Sequence, residues 1–483
     1  MNLSIKNTVG LCLSMLFLGA CNDFLEENPD LRVELNTLDK AQQLLTNAYS
    51  EGGYNFVEWM GDMVTYTQGT TKEDQHNQSY AWEEVDELFQ DSPTFFWNET
   101  YEAIAHANEV LAVVDQLPGD EAQRRAVKGE ALLARAYGHF MLVNLFAKHY
   151  DPSSASSDPG VPYVTTPETE FVKQYKRVSV QKVYDNIEDD LLEGLELVDG
   201  SFLANSGKYH FTKNSALAFA SRFYLYQGDY NRCIEYSNQL LGSNPDVYIK
   251  DLAALLEERV NTEDYVRLFT SPNDPSNLLL IRKVTNFHLN VGYWPDSEVY
   301  SGRIFGNNPF QGAVDLRSDP AFVRGENGIS ASRFEFLFER TSLTSGVGFN
   351  YTIVAPFRGE EVLLNRAESL AQLNRVNEAL ADLQLLWNKR YSEEVSIDLQ
   401  GIQSYIGTTD SRVALLIYIL EIERPKEFVH EGLRWFDIKR YGFPVTHVLA
   451  NGSTITLEAD DNRKALQIPE AAQNVGGLSP NPR

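Results

Sequence analysis

Along residues 97–117 and again along 121–146 the apolar positions return every three or four residues. That period, more than any other feature of this 483-residue chain, limits the folds open to it. Tyr101, Ile104, Ala105, Asn108 and Leu111 fall on one stripe, and Ala131, Leu132, Ala134, Arg135, Tyr137 and Gly138 make a second. A stripe of that spacing requires another face to cover it. Pro118 and Gly119 punctuate the two segments, so the spacing predicts two long helices. Helices are also predicted at Leu38–Ser50 and Val180–Val198. Asp151–Gly160, rich in Ser and Pro, reads as a loop.

Residues 214–245 fit a tetratricopeptide-like unit, in which two antiparallel helices interlock through small residues at fixed offsets. Leu217, Ser221 and Tyr224 fall on the first helix, Gly228 and Tyr230 at the turn, Cys233 on the second helix and Pro245 at the exit. A second unit aligns through Leu363, Ala367 and Leu370, a turn at Asn374, then Ala379, Leu383 and Leu386. The units are not in tandem. Between them, residues 246–355 hold few helical patterns but many Gly, Pro and Asn, with Phe287, His288, Tyr293, Trp294, Tyr300, Phe305 and Phe310 in turn-like settings. An insertion of this length is usually functional, and a short strand is expected at Leu278–Val284. Residues 51–96, with Trp59, Tyr66, Tyr80 and Trp82, are predicted to be mainly loop. The expected fold is mainly α: a tetratricopeptide-like helical-pair scaffold at about 38–245 and 356–442, with a large loop-rich insertion at about 246–355 carrying a few short strands.

The N-terminus addresses the compartment. Lys6 precedes an apolar run from Val9 to Leu18, closed by Gly19 and Ala20. About ten apolar residues make a signal-peptide core, whereas a bilayer span needs roughly 20. Leu18-Gly19-Ala20-Cys21 resembles the bacterial lipobox, which implies removal of residues 1–20 and lipid on Cys21. Two or more acyl chains would hold the protein to a membrane stably. Pro29 breaks any helix in the acidic leader Asn22–Leu35, which reads as a tether. With Cys21 acylated, Cys233 has no disulfide partner and should be a buried small residue at its helix crossing.

Forty-one Lys and Arg against 68 Asp and Glu leave a net charge of −27. Such a field repels phosphate backbones, so nucleic acid is excluded as the expected partner. His430 has no second His at helical reach, and the other histidines are dispersed, so no metal spacing appears. Nucleophile elbow, phosphate loop and dinucleotide fingerprint are absent from the sequence, and no cofactor is expected. The acidic run Asp185–Glu193 reads as a solvated helix face. The positive signal is aromatic residues in loops. A sugar ring offers apolar C–H faces and polar edges, so a binder needs flat rings for the faces and amide, carboxylate or guanidinium groups for the hydroxyls. Trp82, Tyr66, Tyr293, Trp294 and Tyr300 are the candidate platforms, with Asp74, Asn77, Asn290, Asp296, Arg303 and Asn307 as edge partners.

Residues 411–440 carry another helical pattern and run into Glu431-Gly432-Leu433-Arg434-Trp435-Phe436-Asp437-Ile438-Lys439-Arg440-Tyr441-Gly442. This segment resembles the E-G-x-R-W-F-D-[LI]-[KR]-R-[WY]-G signature of the SusD/RagB family of Bacteroidetes surface lipoproteins. Matches in the same order extend the resemblance over nearly the whole chain: Cys21-Asn22-Asp23-Phe24-Leu25, Trp97 with Tyr101, Ile104 and Asn108, Glu130 to Tyr137, and Ile468-Pro469. Pro425 departs from it, standing where a basic helical residue is usual, and an interior Pro kinks a helix. Glu431, Arg434 and Asp437, three apart, read as a structural ion pair on one helix face rather than a catalytic cluster.

The resemblance implies one SusD-like domain over 21–483, anchored to the outer membrane through Cys21 and facing the cell exterior. It implies an oligosaccharide ligand and a SusC-like TonB-dependent outer-membrane transporter as partner, with no catalytic residue. The alternatives are a peptide-binding RagB-like receptor, which would need an extended groove with backbone partners, and a surface glycoside hydrolase.

Overall fold

The longest helices start where the sequence supplies an oxygen for a free backbone N–H. Ser92 accepts from Phe95 at 3.1 Å with Pro93 at the first helical position, and Asp120 accepts from Gln123 at 2.9 Å. The computed structural model describes residues 35–483 except 68–73, 169–172, 204–205, 290–291, 311 and 325. The expected signal segment, Cys21 and Asn290 lie outside the described residues. Thr37–Arg483 form one folded unit.

In chain order its first helices are α1 (Leu38–Leu44), α2 (Asp74–Tyr80), α3 (Pro93–Val113), α4 (Glu121–Phe146), α5 (Val180–Leu197), α6 (Lys213–Gln227) and α7 (Tyr230–Leu241). Helix α4 lies between α3 and α5, and from Val127 onward it is buried almost all round. Gly228 ends α6 with φ 83°, a left-handed conformation that costs a residue without Cβ least, and the chain reverses into α7 as the spacing predicts. After α8 (Leu252–Glu258) and α9 (Thr262–Phe269) comes the second predicted pair, α10 (Gly359–Gln372) and α11 (Val376–Trp387), turning at Asn374 with φ 57°. Helix α7 packs on α10, with Cys233 buried between them, its Sγ 3.6 Å from the Asn365 carbonyl. The two units, far apart in sequence, therefore stack as neighbours, and the insertion loops out from the joint.

That insertion is more regular than expected. It holds α8 and α9 and most of the strands. With β1 (Thr65–Tyr66), these are β2 (Asn277–Val284), β3 (Tyr293–Trp294), β4 (Ala321–Arg324), β5 (Gly328–Ala331), β6 (Leu337–Arg340) and β7 (Gly348–Arg358). The expected strand is β2, paired antiparallel to β7 with Ile281 opposite Val354. The sheet order is β2-β7-β6. β7 runs straight into α10, which ties the insertion to the frame. The described part of residues 51–96 is mainly irregular, as expected, but it holds α2, β1 and a tight turn at Asn55–Glu58, and Trp59 is fully buried. Their rings fill the space beneath β3 and the terminal hairpin.

The C-terminal part comprises α12 (Leu399–Ile406), α13 (Ser411–Tyr418), α14 (Arg424–Glu427), α15 (Leu433–Tyr441), the hairpin β8 (Val445–Val448) with β9 (Thr454–Leu457), and α16 (Glu470–Asn474). The helical pattern predicted over 411–440 is broken twice. A widened π turn at Ile419–Glu423 precedes Pro425, and His430 (φ 68°) and Gly432 (φ 77°) turn the chain before α15. Glu431 therefore lies outside the helix, and the expected pair with Arg434 does not form. Glu431 accepts from Arg358 at 2.8 Å, Arg434 donates to Asp62 at 2.8 Å, and Asp437 accepts from Arg424 at 2.7 Å. The acidic face on α5 is likewise only partly solvated, because Asp190 turns inward onto Arg135 at 2.7 Å.

These contacts belong to a buried lattice of ions. Glu427 accepts from Arg390 at 2.8 Å and from Arg358 at 3.1 Å. Arg317 of the insertion bridges Asp315 at 2.7 Å and Glu423 at 2.8 Å, and Arg390 also reaches Glu360 at 3.0 Å. The arginines around Glu427 hold its carboxyl far below the usual carboxylate range, against the upward push of burial. Removing one member strands its partners as uncompensated buried charge, which costs about 3–5 kcal/mol. Glu427→Ala should lose stability of that order in a urea titration. Glu378→Ala, which removes an exposed pair with Arg375, should leave the urea midpoint where it is.

Candidate ligand-binding hollow

Successive strand residues point to opposite faces, so Phe322 and Arg324, two apart on β4, share a side. Ser330 of β5 stands opposite Phe322 in the register. Together with the turn Phe287–Leu289, β3, α9 and the segment 332–336 that follows β5, they enclose a hollow of about 280 Å³. Phe322 and Phe336 are 39% and 45% exposed, so their rings are open at its mouth. The His288 ring stacks on Phe336 with centroids 3.4 Å apart. The Arg324 guanidinium lies 5.5–5.7 Å from the centroids of Phe322, Phe336 and Trp294, and its Nε donates to Ser330 Oγ at 3.0 Å.

Trp294 forms part of the wall, packed on Phe287 at 5.2 Å and edge-on to His430 at 4.9 Å. His430, in its left-handed turn, accepts from the Ala331 backbone N–H through Nε2 at 3.1 Å. The turn between α14 and α15 thus reaches into the hollow. Burial, then the charge of Arg324, pushes the His288 imidazole down to about 3. Burial, then Arg333 and Arg324, does the same to His430, and both rings stay neutral.

The sequence-predicted platforms are mostly closed. Trp82, Tyr293, Trp294 and Tyr300 are buried, which corrects the expectation that they stand open to solvent: the first three pack into the main core, and Tyr300 into a small cluster with Met63, Ile304 and Phe305. Trp82 lies flat on His447 at 4.4 Å, donates from Nε1 to Met60 O at 2.9 Å, and lines a different hollow of about 410 Å³. Tyr293 donates to the Asn77 side chain at 2.5 Å, with Tyr66 half-buried beside it at 5.9 Å. Tyr300 donates to Ser318 O at 2.8 Å. Among the edge candidates, Asp74 is exposed at the first position of α2. Asp296 accepts from the Val299 backbone at 2.9 Å, Arg303 pairs with Asp62 at 2.6 Å, and Asn307 accepts from Tyr405. The predicted set is therefore dispersed, and only Trp294 lies on the hollow. Sequence reasoning passed over Phe322, Arg324 and Phe336. For Phe336 the available signal was a ring at every second position through Phe334, Phe336 and Phe338, an alternation that runs from the irregular segment 332–336 into β6.

Among the described residues no group of three His, Cys, Asp or Glu side chains is placed to hold a metal ion, and no helix is long and apolar enough to cross a membrane. The hollow thus sets open rings and arginine side chains together on a frame of stacked helix pairs. Comparison with known proteins supplies the family. Residues 23–225 match a family model described as starch-binding and associating with the outer membrane, and residues 340–480 match that of the SusD family. The chain belongs to the SusD/RagB family of carbohydrate-binding proteins. It is 22% identical to SusD-like protein P38 of Formosa agariphila, over 90% of this chain and 91% of that one. Against SusD-like protein P2 of the same organism it is also 22% identical, over 80% of each. Its fold is that of a SusD superfamily protein from Bacteroides vulgatus (TM-score 0.69, 18% identity, 92% of this chain and 99% of that). A laminarin binding SusD-like protein is similar too (TM-score 0.61, 18% identity, 92% and 98%).

Glu58 is buried and accepts from the Gly432 backbone, in the turn that carries His430, at 2.6 Å. Burial raises its carboxyl to about 8. The folded state thus keeps a proton that the unfolded chain releases near pH 4.5, so stability falls as pH rises from there to about 8 and is level above it. Glu58→Gln retains the acceptor without the charge. Its melting temperature should exceed the parent's at pH 9, and the difference should vanish at pH 4.

Proposed function

We propose that the protein captures oligosaccharides at the cell surface in the Phe322–Arg324–Phe336 hollow, and that it delivers them to a SusC-like TonB-dependent outer-membrane transporter while held by lipid on Cys21. The observation that carries this reading is the pair of half-open rings flanking a guanidinium whose two Nη groups make no hydrogen bond to the described residues. Stacked rings take the C–H faces of a sugar and the Nη groups take its polar edge. Trp294 serves as the wall that fixes Arg324 and His430, not as the platform itself. The family membership and the sugar-related names of its relatives support the ligand class, and the lipobox-like Leu18-Gly19-Ala20-Cys21 supports the anchor. The protein acts by binding alone, and incubation should leave the glycan intact.

Calorimetry against a glycan panel tests the site. Phe336→Ala should weaken the best ligand by about tenfold, the worth of one stacked ring, whereas Trp82→Phe, in the other hollow, should leave the affinity unchanged. The opposite pattern would move the site to Trp82. For delivery, a pull-down through this protein from solubilised outer membranes should recover a β-barrel transporter, and recovery of none would refute that step.

A further inference from the structure

Among the described residues eight arginines are buried, and seven of them have a carboxylate within 4 Å. The exception is Arg333. Its guanidinium donates to the Arg317 and Ser332 carbonyls at 3.0 and 3.4 Å, and its Nε has no partner among the described residues. The neighbouring Ser332 Oγ is also buried without a partner. Arg333, Ser332 and Arg324 all line the hollow. Arg324, half-buried, likewise has no carboxylate partner; burial draws its pKa down, a sign of charge held with little water around it.

In a chain of net charge −27, leaving two arginines that line one hollow without a carboxylate is not the outcome of a shortage of acids. Two carboxylates do line the same hollow, Glu263 on α9 and Glu335 beside Phe336, yet neither reaches either arginine within ion-pair distance. Glu431 feels the charge of Arg333 but is committed to Arg358 at 2.8 Å. His288 and His430 are lowered first by burial and then by the charge of these arginines, Arg324 on His288 and both on His430.

Resting on the glycan reading above, we propose that the hollow selects acidic saccharides, with a carboxylate or sulfate ester of the sugar accepting from the Nη groups of Arg324 while its ring lies on Phe336. The planar fork of Arg324 is oriented by three rings and by Ser330, so little freedom is lost when it meets an oxyanion. Arg333 supplies positive charge from behind without touching the sugar.

The test uses the whole lipid-free chain and three pools of mixed-linkage hexasaccharides, from neutral, uronate-containing and sulfated polysaccharides. At low salt the best uronate or sulfated ligand should bind at least about tenfold more tightly than the best neutral one. Raising the salt should narrow that gap, because a charge-assisted contact is screened. Arg324→Gln should bring the ratio close to one, and Arg412→Gln, on the exposed surface of α13, should leave it unchanged. The uronate and sulfate arms identify the oxyanion. Equal or tighter binding of the neutral pool, still weakened by Phe336→Ala, would overturn the acidic preference and leave glycan capture standing. Binding by none of the pools would overturn both.

Discussion

Everything else in this structure depends on charges buried together. Glu427 sits at the meeting point of Arg390, Arg358 and Arg317, which come from the second helical pair, from the end of β7 and from the insertion. An isolated ion in that place would be expensive to desolvate, so each is tolerable only while the others are present. The lattice therefore acts as an all-or-none lock. It fixes where the insertion attaches to the frame, a relation that apolar packing alone, being non-directional, would define less sharply.

The lock also explains the C-terminal signature. Its charged residues serve different partners: Glu431 holds Arg358, Arg434 holds Asp62 from the N-terminal half, and Arg440 spans Glu368 and Asp437. Its glycine serves geometry. At Gly432 a side chain would have to adopt φ 77° with a Cβ 2.9 Å from the Tyr54 ring. The turn made there delivers His430 to the wall of the hollow, so the segment that locks the frame also shapes the proposed binding surface. The rings and guanidinium of the proposed site are thus held on a rigid base, which would lower the entropy lost on binding.

Against this background the two unpaired arginines stand out. A protein that neutralises nearly all of its buried guanidinium groups has left Arg324 and Arg333 without a carboxylate at one hollow, where burial first, and then the charge of Arg324 on His288 and of both arginines on His430, keeps the two imidazoles neutral. The same electrostatic rule that stabilises the core is suspended where a ligand would complete it.

Period and punctuation in the sequence determined the helical frame. α4 begins and ends where its stripe does, Gly228 and Asn374 make the turns their spacing requires, and Cys233 occupies the small-residue crossing, because these are local matters of side-chain size and backbone freedom. The signature identified the family for the same reason, being contiguous. Which rings would be open was decided only by the tertiary structure. Trp82 and Trp294 are as apolar as any platform, and in the folded chain burial against His447 and Phe287 captured them first. Phe322 and Phe336 stayed at the surface because β4 and the segment after β5 lie at the rim, where no further layer covers their outer side. Exposure and charge pairing depend on residues hundreds of positions apart, and no spacing within a segment encodes them.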